Sequence, residues 1–423
     1  MSMAVPGSCE RDEQLVTRPC VVAFPFVGGE FGGSDISATK LVASLDRSRV
    51  TPIVFLHDAG GEFASYLRDI GISFVHVEGV DVLRPRQGRG RAQLARAALS
   101  YPSAVLKLRR VLRQHRVDIV HTNNGLIHST WAVPAALAGA RLVWHHRGDP
   151  SARGVNIVAP VLADHIVTVS NFSRPARPML PVDRRTSVVH SPFDHPQELP
   201  DREACRMALI RELDLAKQTR FFGYFGALID RKRPLLFVKA IHAFMKANPD
   251  LPIAGLLFGP PEQYGVRMDG AVIELARSLG IAHSIRVMGF RTPVEPLMSA
   301  VDALLVPAVN EPFGRTLIEA MMLGTPVIAT NHGGNPEAIS HGRTGFLVEA
   351  ENPQAFVAPM TTLVTDPLEW NRISSQARHE ALAVYSVEFH TNRIMEIYGS
   401  LMHRARPRRS DGFHLSCEER NFR

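Results

Sequence analysis

Short runs of apolar, β-branched and aromatic residues alternate along the chain with longer segments whose apolar positions recur at helical spacing. This alternation predicts an α/β fold with parallel sheets that are covered by helices on both faces. In the first half, the predicted strands span residues 21–26, 52–57, 73–77, 118–121, 141–144 and 165–169, and the predicted helices span 35–45, 62–71, 103–115 and 127–137.

The series of strands restarts near residue 220, after a stretch from 175 to 200 that is rich in proline and charge. We place the main domain boundary in that stretch. In the second half, the predicted strands span residues 221–226, 253–258, 285–288, 303–307, 326–330 and 345–348, and a last helix capped by Ser386 spans 387–402.

These patterns predict two doubly wound, Rossmann-like domains. We expect an amino-terminal domain over residues 1–190, a linker over 191–200, a carboxyl-terminal domain over 201–385, a helix over 386–402 that crosses back, and a basic tail over 403–423. Two such sheets that face each other place the carboxyl ends of their strands at one cleft, which is where these sheets bind ligands.

The composition is that of an ordinary globular protein, with 45% hydrophobic and 21% charged residues in a chain of 423. It excludes disordered, collagen-like and coiled-coil classes. The four cysteines lie far apart, in the spacing of neither a zinc site nor a secreted disulfide framework. The sequence shows no signal peptide and no apolar run long enough to span a membrane, so we expect a cytoplasmic protein.

Part of the net charge of +7 lies between Arg84 and Arg116, a segment with ten Lys or Arg residues and no acid. A solvated basic helix and peripheral docking on anionic lipid at the inner face of the membrane both stay open as interpretations. Nucleic acid is not an expected partner, because aromatic residues do not interleave with the basic ones and no reader motif is present.

The most informative segment reads EPFGRTLIEAMMLGTPVIAT and begins at Glu311. A predicted strand leads into a loop with Glu311 and Phe313, and a helix begins near Gly314. The free N–H groups of Gly314, Arg315 and Thr316, together with the helix dipole, form a site for a diphosphate.

Two glutamates flank the start of this helix. Glu319 lies about one turn inside it, within reach of a ribose attached to that diphosphate, and Glu311 can reach the hydroxyls of a sugar on the other side. Carboxylates accept hydrogen bonds well from pairs of hydroxyls. A solvated surface acid explains either residue alone, but the strand–loop–helix setting of the pair favours a ligand site.

Three further segments supply candidates. The turn FGALIDRKRP, which ends at Pro234, contains Lys232, and a cation there stabilises the charge of a departing diphosphate. The glycine-rich turn with Gly32 and Gly33 lets the backbone approach a ligand, although a simple tight turn explains it equally well. His145 follows a predicted strand at the edge where the cleft is expected.

Together these segments resemble the GT4 family of retaining glycosyltransferases with the GT-B fold, also called glycosyl transferases group 1. The resemblance covers nearly the whole chain and is carried by the E-x7-E pair Glu311 and Glu319, by GGNPE from Gly333 and by TGFLV from Thr344. It implies a hexosyltransferase whose carboxyl-terminal domain binds a nucleotide-diphosphate sugar and whose amino-terminal domain faces the acceptor.

The resemblance also implies roles in the carboxyl-terminal domain. Glu319 would bind the donor ribose, Glu311 the transferred sugar and Lys232 the phosphates. Ala227 stands where the family has an arginine, so that phosphate contact would fall to Arg231 or Arg233.

In the amino-terminal domain, the family loop with Gly32 and Gly33 closes over phosphate and acceptor. His145 would contact the donor sugar, with His146 as the alternative one residue on and Arg147 as an acceptor contact. The candidate catalytic residues are His145, Lys232 and Glu311. Retention of configuration is implied by the resemblance, through a route in which the departing phosphate helps to deprotonate the acceptor.

Two alternatives stay open. One is a donor-binding subunit without activity that serves a partner enzyme, which Ala227 and the Ser191-Pro192 pair (often Asn-Gly in the family) would allow. The other is a sugar-nucleotide epimerase with the same fold.

No metal site and no cofactor are expected, since the sequence has no Asp-x-Asp, HExxH or Cys/His cluster and Lys232 can do the work of a cation. The residues do not identify the base or the sugar of the donor. The segment DIVHTNN from Asp118 is similar to bacterial enzymes that build polysaccharide or lipid-linked glycans. With the basic segment, it favours an acceptor at a membrane surface; glycan, lipid-linked and small-molecule acceptors all stay open.

Overall fold

The computed structural model describes residues 18–29, 32–83, 91–196, 198–263 and 266–403, which form two α/β domains. The strands of the first domain are β1 Cys20–Phe26, β2 Val50–Leu56, β3 Phe74–His76, β4 Ile119–Thr122, β5 Arg141–His146, β6 His165–Thr168 and β7 Thr186–Val188. Its helices are α1 Gly33–Ser44, α2 Glu62–Asp69, α3 Arg91–Gln114, α4 Gly125–Ala138 and α5 Ala159–Leu162, with a π-helix at Gly154–Val158 and a 3-10 turn at Asp183–Arg185. The strands are parallel, in the order β3-β2-β1-β4-β5-β6-β7.

The second domain repeats this plan. Its strands are β8 Arg220–Phe225, β9 Ile253–Phe258, the short hairpin β10 Glu262–Gln263 and β11 Val266–Arg267, β12 Ile285–Gly289, β13 Ala303–Val306, β14 Val327–Thr330 and β15 Phe346–Val348. Its helices are α6 Arg202–Leu213, α7 Pro234–Ala247, α8 Asp269–Ser278, α9 Glu295–Ala300, α10 Arg315–Met322, α11 Asn335–Ala338, α12 Val357–Thr365, α13 Pro367–Val384 and α14 Val387–His403. The main sheet has the order β12-β9-β8-β13-β14-β15.

The strand orders confirm the predicted pair of doubly wound parallel sheets. In each sheet the first strand of the domain lies inside, so that β1 is flanked by β2 and β4, and β8 by β9 and β13. The chain changes its winding direction beside each of these strands. Such switch points leave a crevice at the carboxyl ends of the strands, where ligands bind.

Three local features differ from the sequence-based prediction. Strand β7 was not predicted, because its three residues are all only partly buried and show no alternation. Helix α3 begins at Arg91 and runs through Pro102, although a proline inside a pattern usually marks a boundary. The π-helical turn before α5 also had no counterpart in the prediction.

Helix α14 returns from the second domain and completes the core of the first. Its buried face carries Ile394, Tyr398 and Leu401, which pack with Phe24 of β1 and Val143 of β5. The last helix therefore covers the same face of the first sheet as α1, whose apolar residues belong to the same cluster.

The two domains contact each other on one side of the cleft through Glu337 of α11. Its carboxylate accepts hydrogen bonds from the backbone amides of Asn171 (2.7 Å) and Phe172 (2.9 Å), which follow β6, and from the Asn171 side chain (3.0 Å). Nearby, the Ser170 hydroxyl donates to the carbonyl of Pro312 at 2.5 Å. The N–H groups of Asn171 and Phe172 in the first domain thus stabilise the negative charge of Glu337.

A second contact between the domains is made by Arg315 at the start of α10. Its guanidinium donates to the hydroxyl of Ser37 in α1 at 2.9 Å and lies over the ring of Phe193 at 4.4 Å. A Cβ at Gly33 would lie 2.7 Å from Cδ of Arg315, so the close approach of the two domains here favours glycine. This use of Gly33 was not foreseen in the sequence.

The structure bears only partly on the predicted membrane surface. Within the described residues, no helix has both the length and the apolar character needed to cross a membrane. In the described part of the basic segment, Lys107, Arg110 and Arg113 are exposed on α3. The stretch from residue 84 to 90 and the predicted basic tail beyond His403 lie outside the described residues, so lipid docking stays a prediction.

We expect Ile394→Ala to lower the free energy of unfolding by about 2–5 kcal/mol, because it leaves a cavity between α14 and the first sheet. Urea denaturation followed by circular dichroism measures this change. The matched control is Arg393→Ala, one residue away on the exposed side of the same helix. Equal midpoints for the two variants would contradict the placement of α14 in the core.

Glu337→Gln should weaken the contact between the domains, because the amide replaces an anion that accepts three N–H groups. We expect hydrogen exchange at the Asn171 and Phe172 amides to accelerate about tenfold or more, since bonds to a charged group contribute about 1.5–3 kcal/mol. Deuterium exchange with mass spectrometry measures it, with Glu349→Gln, at an exposed residue of the same domain, as the control. Unchanged protection would show that Glu337 does not hold the domains together.

Candidate active site

The candidate active site is centred on Glu311, which follows β13 at the cleft. The residue is 8% exposed, and its carboxylate pairs with the guanidinium of Arg231. Nζ of Lys232 lies 3.7 Å from the same carboxylate oxygen. Two cations offset the cost of burying this carboxylate. The structure thus brings together three of the predicted site residues.

The loop that carries Glu311 is fixed against the loop after β14. The Gly334 amide donates to the Glu311 carbonyl at 2.8 Å. At Gly333, with φ of +65°, a Cβ would lie 2.7 Å from the same carbonyl oxygen. The Thr330 hydroxyl donates to the Ala308 carbonyl, which joins the ends of the two strands. Glycine at residues 333 and 334 therefore sets the position of Glu311.

Lys232 packs over the end of β8. A Cβ at Gly226 would lie 3.0 Å from Nζ of Lys232. Gly226 also has a φ of +146°, which favours glycine. Ala227 is buried, and its carbonyl accepts a hydrogen bond from the Tyr224 hydroxyl at 2.9 Å. Ala227 brings no charge to the site, so the cations of this turn are those of the following residues.

The two arginines that could replace the family arginine point in different directions. Arg231 contacts Glu311. Arg233 instead pairs with Glu351 at 2.7 Å and with Asp230 at 2.5 Å, away from the cleft. The structure therefore favours Arg231 over Arg233 for the phosphate contact.

The amino terminus of α10 is open to a ligand. Gly314 is its N-cap, and no side chain among the described residues caps it. The amides of Gly314, Arg315 and Thr316 therefore remain suited to an anion. Phe313 is buried and stacks on the ring of His190 at 4.8 Å, so it anchors the loop.

Glu319 lies one turn further along α10. Its carboxylate accepts a hydrogen bond from Arg315 at 3.2 Å. It lines a cavity of about 150 Å³ between the domains, together with Lys40, Phe193 and Met298. Glu319 thus faces an interdomain cavity, separate from the group around Glu311, and its contact to ribose stays a prediction.

On the side of the cleft that the first domain forms, Asp35 organises the turn after β1. The Gly32 amide donates to its carboxylate at 3.1 Å. Burial raises the pKa of Asp35, while hydrogen bonds from Gly32, Ser34 and Asn124 and the charge of Arg147 oppose the rise. Residues 30 and 31 of this turn lie outside the described residues.

Arg147 follows β5 and forms no ion pair with an acid among the described residues. It donates to the Ser191 hydroxyl at 3.0 Å. Burial lowers the pKa of Arg147 to about 9, and the nearby Arg315 acts in the same direction, while Asp35 opposes it. Two guanidinium groups from different domains thus lie near each other, which favours an anionic ligand between them.

His145 is fully buried in this arrangement of the domains. Its Nδ1 lies 3.1 Å from Nε2 of His121 and 3.4 Å from Arg147, and its ring stacks on His390 at 5.9 Å. Burial holds the pKa of His145 well below its usual range. Its contact to the donor sugar stays a prediction. The alternative, His146, pairs instead with the carbonyl of Asp149 at 2.9 Å.

Sequence reasoning missed the roles of Asn123 and Glu337. Asn123 is 1% exposed, and neither atom of its amide has a hydrogen-bond partner among the described residues. The signal was the run of polar residues His-Thr-Asn-Asn at the end of a buried strand, where parallel sheets place ligands.

Across the described ranges, no group of three or more His, Cys, Asp or Glu side chains is arranged to hold a metal ion. The expectation of a metal-free reaction stays a prediction.

Comparison with solved structures identifies the fold. The structure of Anabaena HepE in complex with UDP and glucose has a TM-score of 0.72 and 22% identity, and it covers 90% of this chain and 99% of its own. A glycosyltransferase from Rickettsia africae has a TM-score of 0.75 and 18% identity, and covers 92% of this chain and 100% of its own. The predicted GT-B fold is thereby confirmed.

Sequence comparison finds related glycosyltransferases and a family model that matches part of the chain. The chain is similar to D-inositol 3-phosphate glycosyltransferases, with 27% identity over 76% of this chain and 80% of the protein from Corynebacterium urealyticum, and 24% identity over 90% and 84% for Salinispora tropica. Residues 206–380, which carry Lys232, Glu311 and Glu319, match the family described as glycosyl transferases group 1. Over these residues the chain is therefore similar to the group 1 glycosyltransferases, as its motifs predicted.

Proposed function

We propose that this enzyme transfers a hexose from a nucleotide-diphosphate sugar to an acceptor hydroxyl with retention of configuration. The observation that carries the proposal is the grouping of Arg231, Lys232 and Glu311 beside the uncapped amino terminus of α10. Cations and free amides there suit a diphosphate, and a carboxylate beside them suits the hydroxyls of the attached sugar.

In the proposed reaction, the bond between the anomeric carbon and the diphosphate oxygen breaks while a bond to the acceptor oxygen forms. Lys232, Arg231 and the amides of α10 stabilise the negative charge on the departing diphosphate. The acceptor proton passes to an oxygen of that diphosphate. This route assigns the electrostatic work to side chains and requires no metal ion or other cofactor.

We infer a uridine diphosphate sugar as the donor, because Anabaena HepE was solved with UDP-glucose and with UDP and glucose. The names of the related inositol phosphate glycosyltransferases support an acceptor with an anionic group. The unbalanced charge of Arg147 and the nearby Arg315 suits such an acceptor. A lipid-linked or glycan acceptor at an anionic membrane, reached through the basic segment from Arg84 to Arg116, is the other form of this proposal.

UDP should raise the melting temperature more than GDP or ADP, because a ligand that binds only the folded state adds stability, about 2.7 kcal/mol at a hundredfold excess over Kd. Differential scanning fluorimetry at millimolar nucleotide measures it. Glu319→Ala should reduce the shift if Glu319 binds ribose, and Glu319→Gln should retain part of it. No shift with any nucleotide would sink the donor site and leave a subunit without activity as the better interpretation.

Lys232→Met should lower kcat about a hundredfold, because it removes a cation that stabilises the leaving group while keeping the length of the side chain. Release of UDP from UDP-glucose in the presence of inositol phosphate or a glycan acceptor measures turnover. The matched control is Arg233→Met in the same turn, which should keep kcat within about twofold, since Arg233 faces Asp230 and Glu351. Equal losses in both variants would contradict the assignment of Lys232.

A further inference from the structure

A continuous chain of hydrogen bonds leads from helix α14 to the candidate site. The hydroxyl of Tyr398 lies 2.6 Å from Nδ1 of His121, and Nε2 of His121 lies 3.1 Å from Nδ1 of His145. Arg147 approaches the same Nδ1 at 3.4 Å. Tyr398, His121 and His145 are all buried, so water does not compete for these bonds.

The donors and acceptors of this chain fix its direction. A guanidinium can only donate, so the Nδ1 of His145 that faces Arg147 carries a lone pair. His121 then donates to it through Nε2–H, which leaves a lone pair on Nδ1 of His121 for the Tyr398 hydroxyl proton. The reverse direction would leave that hydroxyl proton without an acceptor among the described residues, at a full desolvation cost.

The protonation states required by this direction fit the surroundings. Burial holds the pKa of His121 and of His145 well below the usual range, and the charge of Arg147 lowers both further. Burial also raises the pKa of the Tyr398 phenol well above its usual value. His390 of α14, which faces His145, is also held neutral, because burial lowers its pKa to about 3. These shifts favour the neutral forms of His121 and His145 and the protonated form of Tyr398.

At the end of this series of hydrogen bonds, Nε2 of His145 is a donor that is not yet used. With Nδ1 of His145 occupied as an acceptor, its proton lies on Nε2, and this buried nitrogen has no partner among the described residues. Asn123 directly follows Thr122, the last paired residue of β4, and His145 directly follows Trp144, its partner in β5. Both polar atoms of the Asn123 amide are also without a partner among the described residues.

We propose that Tyr398 and His121 are positioning residues that hold His145 as an Nε2–H donor toward a substrate oxygen. The inference rests on the proposed function for the identity of that substrate. It makes His145 a donor to a hydroxyl or phosphate oxygen and excludes it as the general base, because the nitrogen that faces the ligand has no lone pair.

Tyr398 connects this series of hydrogen bonds to the packing of the last helix. Tyr398 belongs to α14, which follows the second domain, while His121 and His145 belong to β4 and β5 of the first. The orientation of the site histidine therefore depends on the docking of the last helix. Because His145 is fully buried here, the proposal requires the two domains to move apart before a ligand can reach it.

The direct test is ¹⁵N NMR of the protein labelled at histidine, with His145→Gln and His121→Gln used to assign the signals. We expect His145 to have a protonated Nε2 and a lone pair on Nδ1 between pH 6 and pH 8, and Tyr398→Phe to shift His121 and His145 together. A protonated Nδ1 on His145 in the unaltered protein would overturn the proposal. This readout needs no substrate, so it stands apart from the donor assignment.

The kinetic test compares Tyr398→Phe with Leu401→Val on the same buried face of α14. Tyr398→Phe should lower kcat about tenfold or more, because it loosens the orientation and tautomer of His145. It should also lower the melting temperature, because the buried Nδ1 of His121 loses its donor. Leu401→Val should lower the melting temperature and leave kcat within about twofold. Losses of kcat that follow the loss of stability in both variants would assign Tyr398 a merely structural role.

Rescue at His121 separates the hydrogen bond from packing. His121→Gln keeps an N–H near the position of Nε2, whereas His121→Leu removes it at similar volume. We expect the glutamine variant to retain at least about tenfold more kcat than the leucine variant. Equal values would contradict the proposal. If the unaltered enzyme turns over no nucleotide sugar while the NMR result holds, the proposed function fails and the positioning of His145 stands.

Discussion

The site depends on the close approach of the loops that follow β13 and β14. A side chain at Gly334 would place its Cβ 2.4 Å from the carbonyl oxygen of Pro312, and one at Gly333 would meet the Glu311 backbone at 2.7 Å. These two glycines therefore determine where the Glu311 carboxylate meets its cations. They also place the Pro312 carbonyl where Ser170 of the other domain donates to it, so one packing constraint sets both the charge pairing and a contact between the domains.

Much of this arrangement could be predicted because it is local in sequence. The strand, loop and helix around Glu311 follow from apolar runs, a glycine N-cap and a glycine stop, and the second sheet has its strands close to the predicted positions. Strand β7 was not predictable, because its three partly buried residues gain their structure only by pairing with β6. The direction of Arg233 and the pairing of Glu337 depend on residues more than a hundred positions away, which no local pattern contains.

Electrostatics explains why the site suits anions although it contains acids. The Glu311 carboxylate pairs with Arg231 and Lys232, and the Glu337 carboxylate accepts hydrogen bonds from backbone amides of the other domain. The Asp35 carboxylate interacts with amides, a hydroxyl and Arg147 at the same time. The cations at the cleft therefore do not each have an acid of their own as a partner. A dianionic ligand would offset the positive charge of these cations, and the attraction would compensate for their partial loss of hydration. Neighbouring guanidinium groups on two domains also make closure more favourable with the ligand than without it.

The crossing of α14 connects this closure to the fold. A chain of two doubly wound domains that ended in the second would leave the face of the first sheet beside α1 without part of its cover; α14 supplies that cover with Ile394 and Leu401. Because the same helix carries Tyr398 and His390 against the histidines of β4 and β5, apolar docking and the hydrogen-bond chain form together. The energetic cost of a buried polar chain is then offset by the core around it, and a mutation in α14 far from any ligand can alter the state of His145. The stability of the last helix and the chemistry at the cleft are thus coupled through side chains that lie outside the E-x7-E segment of the sequence.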